Sequence, residues 1–347
     1  PDAAVGRRRV ARTAPGAGSA DVTADVAVGA GKARGFSLVE LMVAMLLGLL
    51  VLGGILAAYL RARDAHAAGE SSARLQENAR LALAILAQDL RMAGYWGLTH
   101  RADLVAINAA SAFPGACGAT WVTDLGHPVD GYDDAYGAPC AASGGGALAG
   151  TDTLVVRHAS ADRLTPQSAT IAAADRTRVL VVTSRTGGEL FVPANTGGAL
   201  PPGFATADVP GQPPLADTRP LRVHAYYVSR NSSLASGYPA LRRKTLVAGP
   251  AIGEEELLPG VEDLQVRFGV DSDGDGEADA YASPGAVPPG ATVVAARLWL
   301  RLRALEFDAA DVPPATFDYA GRQVTAPDDH HRRLLVATTV RLRNAGP

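Results

Sequence analysis

The sequence predicts an α+β protein. One long N-terminal α-helix spans a membrane with its first half and lays its second half on an antiparallel β-sheet domain with long loops. Three observations lead there: an apolar run over 36–60 behind a basic flank, an amphipathic stripe that continues to about residue 94, and, over 95–347, short β-type runs separated by Gly/Pro/Ala-rich connections. The implied organisation is a basic leader at 1–35, a spanning segment at 36–60, an amphipathic segment at 61–94 and a β-rich globular domain at 95–347.

The apolar run, GFSLVELMVAMLLGLLVLGGILAAYL from Gly35, has 25 residues between Phe36 and Leu60. As a helix it reaches about 38 Å, against a hydrocarbon core of roughly 30 Å. Residues 1–35 carry six basic side chains (Arg7, Arg8, Arg9, Arg12, Lys32, Arg34) against three acidic ones, in a chain whose net charge is −3. A basic flank before an apolar run marks the cytoplasmic side, so the residues beyond 60 lie across the membrane. A secretory signal peptide shares the basic start, but its apolar core is shorter, about 7–15 residues, and a cleavage site follows it. The net negative charge argues against a nucleic-acid binder. Gly48, Gly53 and Gly54 suit a membrane helix that neighbours approach closely.

Glu40 is the one carboxylate in this run. A charge in hydrocarbon costs at least ~2.5 kcal/mol on insertion scales. One reading leaves Glu40 solvated near the membrane surface. The other gives it a cation from elsewhere, for which the amine of a newly cut N-terminus would serve.

Beyond residue 60 the helix is expected to run to about Ala93, since RARDAHAAGESSARLQENARLALAILAQDLRMAGYWG has few breakers before Gly94. Leu75, Ala79, Ala82, Leu83, Leu86 and Leu90 fall on one stripe, which is core packing. Gln76, Glu77, Arg80, Gln88, Asp89 and Arg91 are assigned mostly to other faces. Gly69 with Ser71 and Ser72 marks a place for a bend.

Strands are expected at 154–160, 178–184, 221–229, 241–248, 261–270, 293–305 and 333–344, and loops at 141–150, 193–218 and 283–292. In the last two strands Leu298, Leu300 and Leu302 alternate with Arg297, Arg301 and Arg303, and Val336, Thr338, Val340 and Leu342 alternate with Arg341 and Arg343. Alternation suits antiparallel strands with one wet face, and the arginines are read as that solvated face ahead of a partner-contacting surface.

Two features carry chemistry. In DSDGDGEAD, Asp271, Asp273 and Asp275 recur at every second position, Gly276 follows, and Asp279 closes the set. This is the front of a calcium loop, with the Glu277 carbonyl as seventh-position ligand and Asp279 as ninth. The twelfth position is Ala282, so the bidentate glutamate is missing, and no helix–loop–helix frame surrounds it. A structural Ca2+ is the favoured reading and a polar hairpin turn the alternative. The only two cysteines, Cys117 and Cys140, suit a disulfide in an exported domain, with free thiols as the alternative. That bridge would contribute roughly 3 kcal/mol. His330 and His331 beside Asp328 and Asp329 are read as a solvated loop. There is no P-loop, GxSxG or HExxH motif, so a non-enzymatic role is expected.

The string from Lys32 through Arg34, Gly35, Phe36, Ser37, Leu38, Val39 and Glu40 resembles the signal of type IV prepilins. The resemblance implies cleavage between Gly35 and Phe36 by a prepilin peptidase, methylation of Phe36, and pairing of Glu40 with the amino terminus of a neighbouring subunit as a register charge. A 35-residue leader is longer than many in that family, and residues 1–20, rich in Ala, Gly and Arg, read as a disordered extension or a mis-assigned start. The stretch LQENARLALAILAQDLRMAGYWG is similar to a passage of the PilW family of minor pilins. That resemblance implies a pilin-like fold. It also implies a part in priming type IV pilus assembly at the inner membrane, adhesion and twitching motility. The implied partners are other minor pilins, the major pilin, the peptidase, the assembly machinery and membrane lipid. The implied location is the inner membrane with the C-terminal domain periplasmic, then the pilus and its tip. Two alternatives stand beside it: a GspJ-like pseudopilin of type II secretion, and a membrane-anchored periplasmic enzyme.

Overall fold

A computed structural model describes residues 35–113, 119–138, 140–164, 170–204, 215–308 and 314–344. Residues 1–34, which make up nearly all of the expected leader at 1–35, and Cys117 lie outside the described residues. The chain forms two compact units, the first ending at Tyr59 and the second beginning at Leu60.

Helix α1 (Leu38–Met92) is continuous through Gly69. In the first unit its apolar side chains are all exposed, from Leu38, Met42 and Leu49 to Ile55 and Tyr59. It is a helix long and apolar enough to cross a membrane. In the second unit the same helix buries Leu75, Ala79, Ala82, Leu86 and Leu90, as the periodicity requires, with Leu83 half-buried. It stops where Gly94 takes a left-handed φ of 75° and donates its N–H to the Arg157 carbonyl at 3.1 Å. A side chain there would meet the Asn344 backbone at 3.0 Å, so glycine is needed twice over.

The strands are β1 (Val105–Ile107), β2 (Val129–Tyr132), β3 (Thr153–Ala159), β4 (Leu180–Thr183), β5 (Gly188–Phe191), β6 (Asp217–Ser229) and β7 (Ala240–Val247). They continue with β8 (Ala251–Pro259), β9 (Val261–Asp271), β10 (Ala280–Ala282), β11 (Thr292–Arg303), β12 (Thr316–Tyr319), β13 (Arg322–Thr325) and β14 (Arg333–Arg341). An eight-stranded sheet runs β1-β5-β4-β6-β3-β2, with β7 on β6 and β8 on β7. A four-stranded sheet runs β10-β9-β11-β14, and β12–β13 form a separate hairpin. All pairs are antiparallel except β1 with β5. The α+β architecture predicted from the sequence is therefore the one observed, with a mixed rather than purely antiparallel large sheet.

One core joins the helix stripe to both sheets. Leu86 and Leu90 share it with Leu154, Tyr226, Leu264, Leu298 and Leu300. A second core, with Trp96, Trp121, Val155, Val181 and Val223, covers the other face of the large sheet. Because strand side chains alternate, Leu154, Val156 and His158 face the helix while Val155 and Arg157 face away.

Two expectations need correction. The loop assigned to 193–218 is shorter, because β6 begins at Asp217 and its first residues pair with β4. The arginine face is only partly solvated. Arg297 and Arg341 are exposed, but Arg301, Arg303 and Arg333 converge on Glu262. Arg333 grips both Glu262 (2.9 and 3.0 Å) and Asp329 (2.6 and 2.7 Å), and its side chain is only 3% exposed. Glutamate on the neighbouring strand converts a wet face into an ion-pair network. The missed β8 has the same cause. Its run Glu254–Glu256 looks like a loop in isolation but lies opposite Lys244, Arg243 and Arg242 in register. Arg242 bonds Glu256 at 2.8 Å, Arg243 bonds Glu255 at 2.5 Å, and Lys244 bonds Glu254.

Candidate functional site

The N-terminal segment is built as its sequence allows. Gly35 precedes the helix in open space, and Phe36 is 83% exposed. Ser37 Oγ accepts the Val39 N–H at 3.3 Å, and Glu40 Oε2 accepts the Ser37 N–H at 3.4 Å. These two bonds form a capping box, which satisfies two of the helix's unpaired donors. Glu40 thus has a local task, and the Ser-x-x-Glu spacing was the signal for it.

The acidic hairpin joins β9 to β10, which pairs back on Phe268–Val270. Asp271, Asp273 and Asp275 bring carboxylate oxygens within 4.8 Å of one another. Asp271 accepts the N–H groups of Gly274 (2.7 Å) and Gly276 (2.9 Å), with Gly274 foremost in holding its carboxyl below the usual range. Asp273 accepts from Asp275 N–H at 3.1 Å, and Asp275 from Glu277 N–H at 2.7 Å. Gly276 takes φ 81°, a left-handed turn that favours glycine. Asp279 is drawn aside to the Ser272 N–H at 2.7 Å, and the Glu277 side chain is not part of the cluster. Three clustered carboxylates fit a hard cation with oxygen ligands at about 2.3–2.6 Å.

Among the described residues no cysteine is free. His331 Nδ1 lies 3.1 Å from the Glu306 carbonyl, and the ring of His330 lies against Phe307, so this histidine pair serves the loop.

Sequence reasoning missed a buried cluster where α1 meets the large sheet. Asp89 was assigned to an outer face, yet it sits one turn beyond Leu86 on the buried stripe and is 8% exposed. Its carboxylate meets His158 Nε2 at 2.9 Å, His224 Nδ1 at 2.6 Å and the Tyr226 hydroxyl at 2.8 Å. Burial pushes Asp89 up, but hydrogen bonds from His158 and His224 outweigh it and hold the carboxyl well below the usual range. Burial likewise pushes His224 down. The signal was available: positions 154, 156, 158 and 224, 226, 228 share the helix-facing parity of neighbouring strands, and position 89 continues the 75-79-82-86 stripe.

Comparison with known proteins follows the same division. Residues 31–56 match the prokaryotic N-terminal methylation motif, and residues 225–344 match Type IV Pilus-assembly protein W. Similar solved structures include a type IV-like pilin from Thermus thermophilus, with 15% identity, a TM-score of 0.35, and coverage of 79% of this chain and 99% of that one. No curated protein matches the chain. The methylation motif over a long apolar helix makes the chain similar to type IV pilus-related proteins and fits a membrane-anchored component. Within that class the resemblance is to PilW, now carried by the C-terminal 120 residues matched as well as by the N-terminal passage.

Proposed function

We propose that this protein is a minor pilin that takes part in priming type IV pilus assembly, without catalysis. It would be anchored in the inner membrane by residues 36–60 with its β-domain in the periplasm, and pass into the pilus. Its partners would be other minor pilins, the major pilin, the prepilin peptidase and the assembly machinery. The observation that carries this reading is the coincidence of the methylation motif at 31–56 with a helix that begins at Leu38 and exposes its whole apolar first half. The match to a pilus-assembly family at 225–344 favours the pilus over the type II secretion pseudopilus.

In this reading the peptidase cuts between Gly35 and Phe36, and the exposed, uncrowded Gly35 gives it access. Glu40 then exchanges its local bond to Ser37 for the ammonium of a neighbouring subunit, since two buried opposite charges are tolerable together and costly apart. Asp271, Asp273 and Asp275, with the Glu277 carbonyl and Asp279, hold a structural Ca2+ that stiffens the hairpin. Cys117 and Cys140 form a disulfide in the exported domain.

The test is the N-terminus and intact mass of the chain recovered from native-like membranes. An N-methylated Phe36 is expected. A chain that retains residues 1–35, or is cut beyond Leu60, overturns the reading. Loss of surface pili on deletion, with enzyme secretion intact, separates the pilus from the pseudopilus.

A further inference from the structure

The Asp89–His158–His224 cluster has no part in the pilin reading, although Asp89 lies within the helical passage that resembles PilW. Its three residues come from α1, β3 and β6, so their convergence depends on the helix lying in its place on the sheet. The candidate donor atoms lie within 4.8 Å of one another, all three residues are buried, and the two imidazoles sit with ring centroids 6.0 Å apart.

His158 faces an acceptor at each ring nitrogen: the Ala159 carbonyl at 2.7 Å from Nδ1 and Asp89 Oδ1 at 2.9 Å from Nε2. A neutral imidazole carries a single N–H. With that hydrogen on Asp89 the Nδ1 lone pair faces the Ala159 carbonyl, and with it on the carbonyl the Nε2 lone pair faces the carboxylate, so either neutral tautomer leaves one repulsive contact, and a cation on the Asp89 side makes both attractive. A proton can be that cation. So can a metal ion, because metal-ligating histidines commonly donate their other N–H to a backbone carbonyl in this way. The Tyr226 hydroxyl orients the second carboxylate oxygen from behind.

Two imidazoles and one carboxylate are a donor set for zinc-type ions, with ligand distances of about 2.0–2.2 Å and one position left open. Tetrahedral placement separates ligand atoms by about 3.3 Å, so His158 Nε2 and His224 Nδ1, at 2.9 and 2.6 Å from the two oxygens of Asp89, would withdraw by about 0.4 and 0.7 Å. A cleft of about 920 Å³ runs past all three residues and supplies a route. Arg243 on its wall is neutralised by Glu255 at 2.5 Å. Arg91, Arg222 and Arg343 also line it, and their charge favours an anionic fourth ligand such as hydroxide or a carboxylate.

We propose that Asp89, His158 and His224 bind a divalent transition metal of the zinc type, which fastens the second half of the helix to the sheet and keeps one coordination position open to the cleft. The test uses tag-free full-length protein in detergent, stripped with a chelator and titrated with ZnCl2 or CoCl2. One zinc per chain is expected, with a raised Tm, visible d–d bands for cobalt, and loss of all three in H158Q and H224Q. The variant D271N/D273N/D275N keeps the zinc. The chain has seven histidines, so H66Q/H100Q/H127Q/H330Q/H331Q leaves only His158 and His224 without touching the core. It should retain one zinc with two imidazole ligands by X-ray absorption. No stoichiometric metal on the wild type, loss of zinc from the five-histidine variant, or uptake that survives in H158Q and H224Q overturns the proposal.

Discussion

Asp152 ties the two sheets together, and removing its side chain should loosen them in a pH-dependent way. It stands just before β3 of the large sheet, 1% exposed, and donates its own N–H to the Leu264 carbonyl of β9 at 2.9 Å. Its carboxylate accepts the Val266 N–H and the Asp134 N–H, each at 2.8 Å. In Asp152→Ala the buried Val266 N–H loses its partner, a cost of about 1–3 kcal/mol, while the Asp134 N–H is close enough to solvent to recover most of its own. We therefore expect a loss of about 2–3 kcal/mol. Asp152→Asn keeps one acceptor and should lose about 1 kcal/mol at pH 8. Burial, with Asp133 and Asp134 adding to it against the two backbone hydrogen bonds, pushes the Asp152 carboxyl up to about 6. Because the folded value lies above the unfolded one, the folded state binds the proton more tightly. The stabilisation from protonation is complete below about pH 4 and is lost as pH rises through about 6. Asparagine has no such titration, so the gap between wild type and Asp152→Asn should widen from pH 8 to pH 4.5. The assay is urea unfolding of detergent-solubilised full chain, followed by tryptophan fluorescence. A gap that stays constant or narrows over that range refutes the reasoning.

Other substitutions test separate parts of the molecule. Leu86→Ala removes a side chain that is fully buried between helix and sheets, and should cost about 2–5 kcal/mol in the same assay. Arg333→Ala removes the better-bonded of two arginines that Glu262 and Asp329 share, Arg303 remaining, and should cost about 2–3 kcal/mol. Arg333, foremost through its hydrogen bonds, holds Asp329 well below the usual carboxylate range, so that stabilisation is complete above about pH 4 and should be lost progressively as pH falls below it toward the depressed folded value. Chelation with EGTA should lower Tm and speed proteolytic cleavage within 271–279, and D273N/D275N should abolish the response to calcium. Glu40→Ala should still be cut after Gly35 but fail to enter pili, read as processed protein that remains in the membrane fraction.

The features legible in the sequence were those carried by one segment alone. The apolar run, the stripe from Leu75 to Leu90 and the alternation of Leu298, Leu300 and Leu302 each state their burial in their own spacing. The strands that escaped notice depend on partners. β8 needs the basic residues of β7 to make its glutamates tolerable, and β1, β10 and β12 are three or four residues long. Asp89 was placed outside because a carboxylate normally belongs there. Its burial makes sense only once His158 and His224 are known to face it, and that needs two strand parities and one helical phase combined. The acidic hairpin was legible because all its carboxylates lie within nine residues, although the separate path of Asp279 to Ser272 was not.

The ladder of Lys244, Arg243 and Arg242 against Glu254–Glu256 has a consequence for how copies of this chain meet. Among the described residues β8 pairs only with β7, so its outer side is a free edge of the large sheet. Free edges invite strands from other molecules. Here an arriving strand would settle beside three consecutive glutamates whose side chains stand off both faces of the edge and are already committed to cations of β7. For a chain proposed to travel among many like subunits, such an edge discourages sheet-to-sheet adhesion. In the proposed pilin reading, association is left to the exposed apolar surface of the helix.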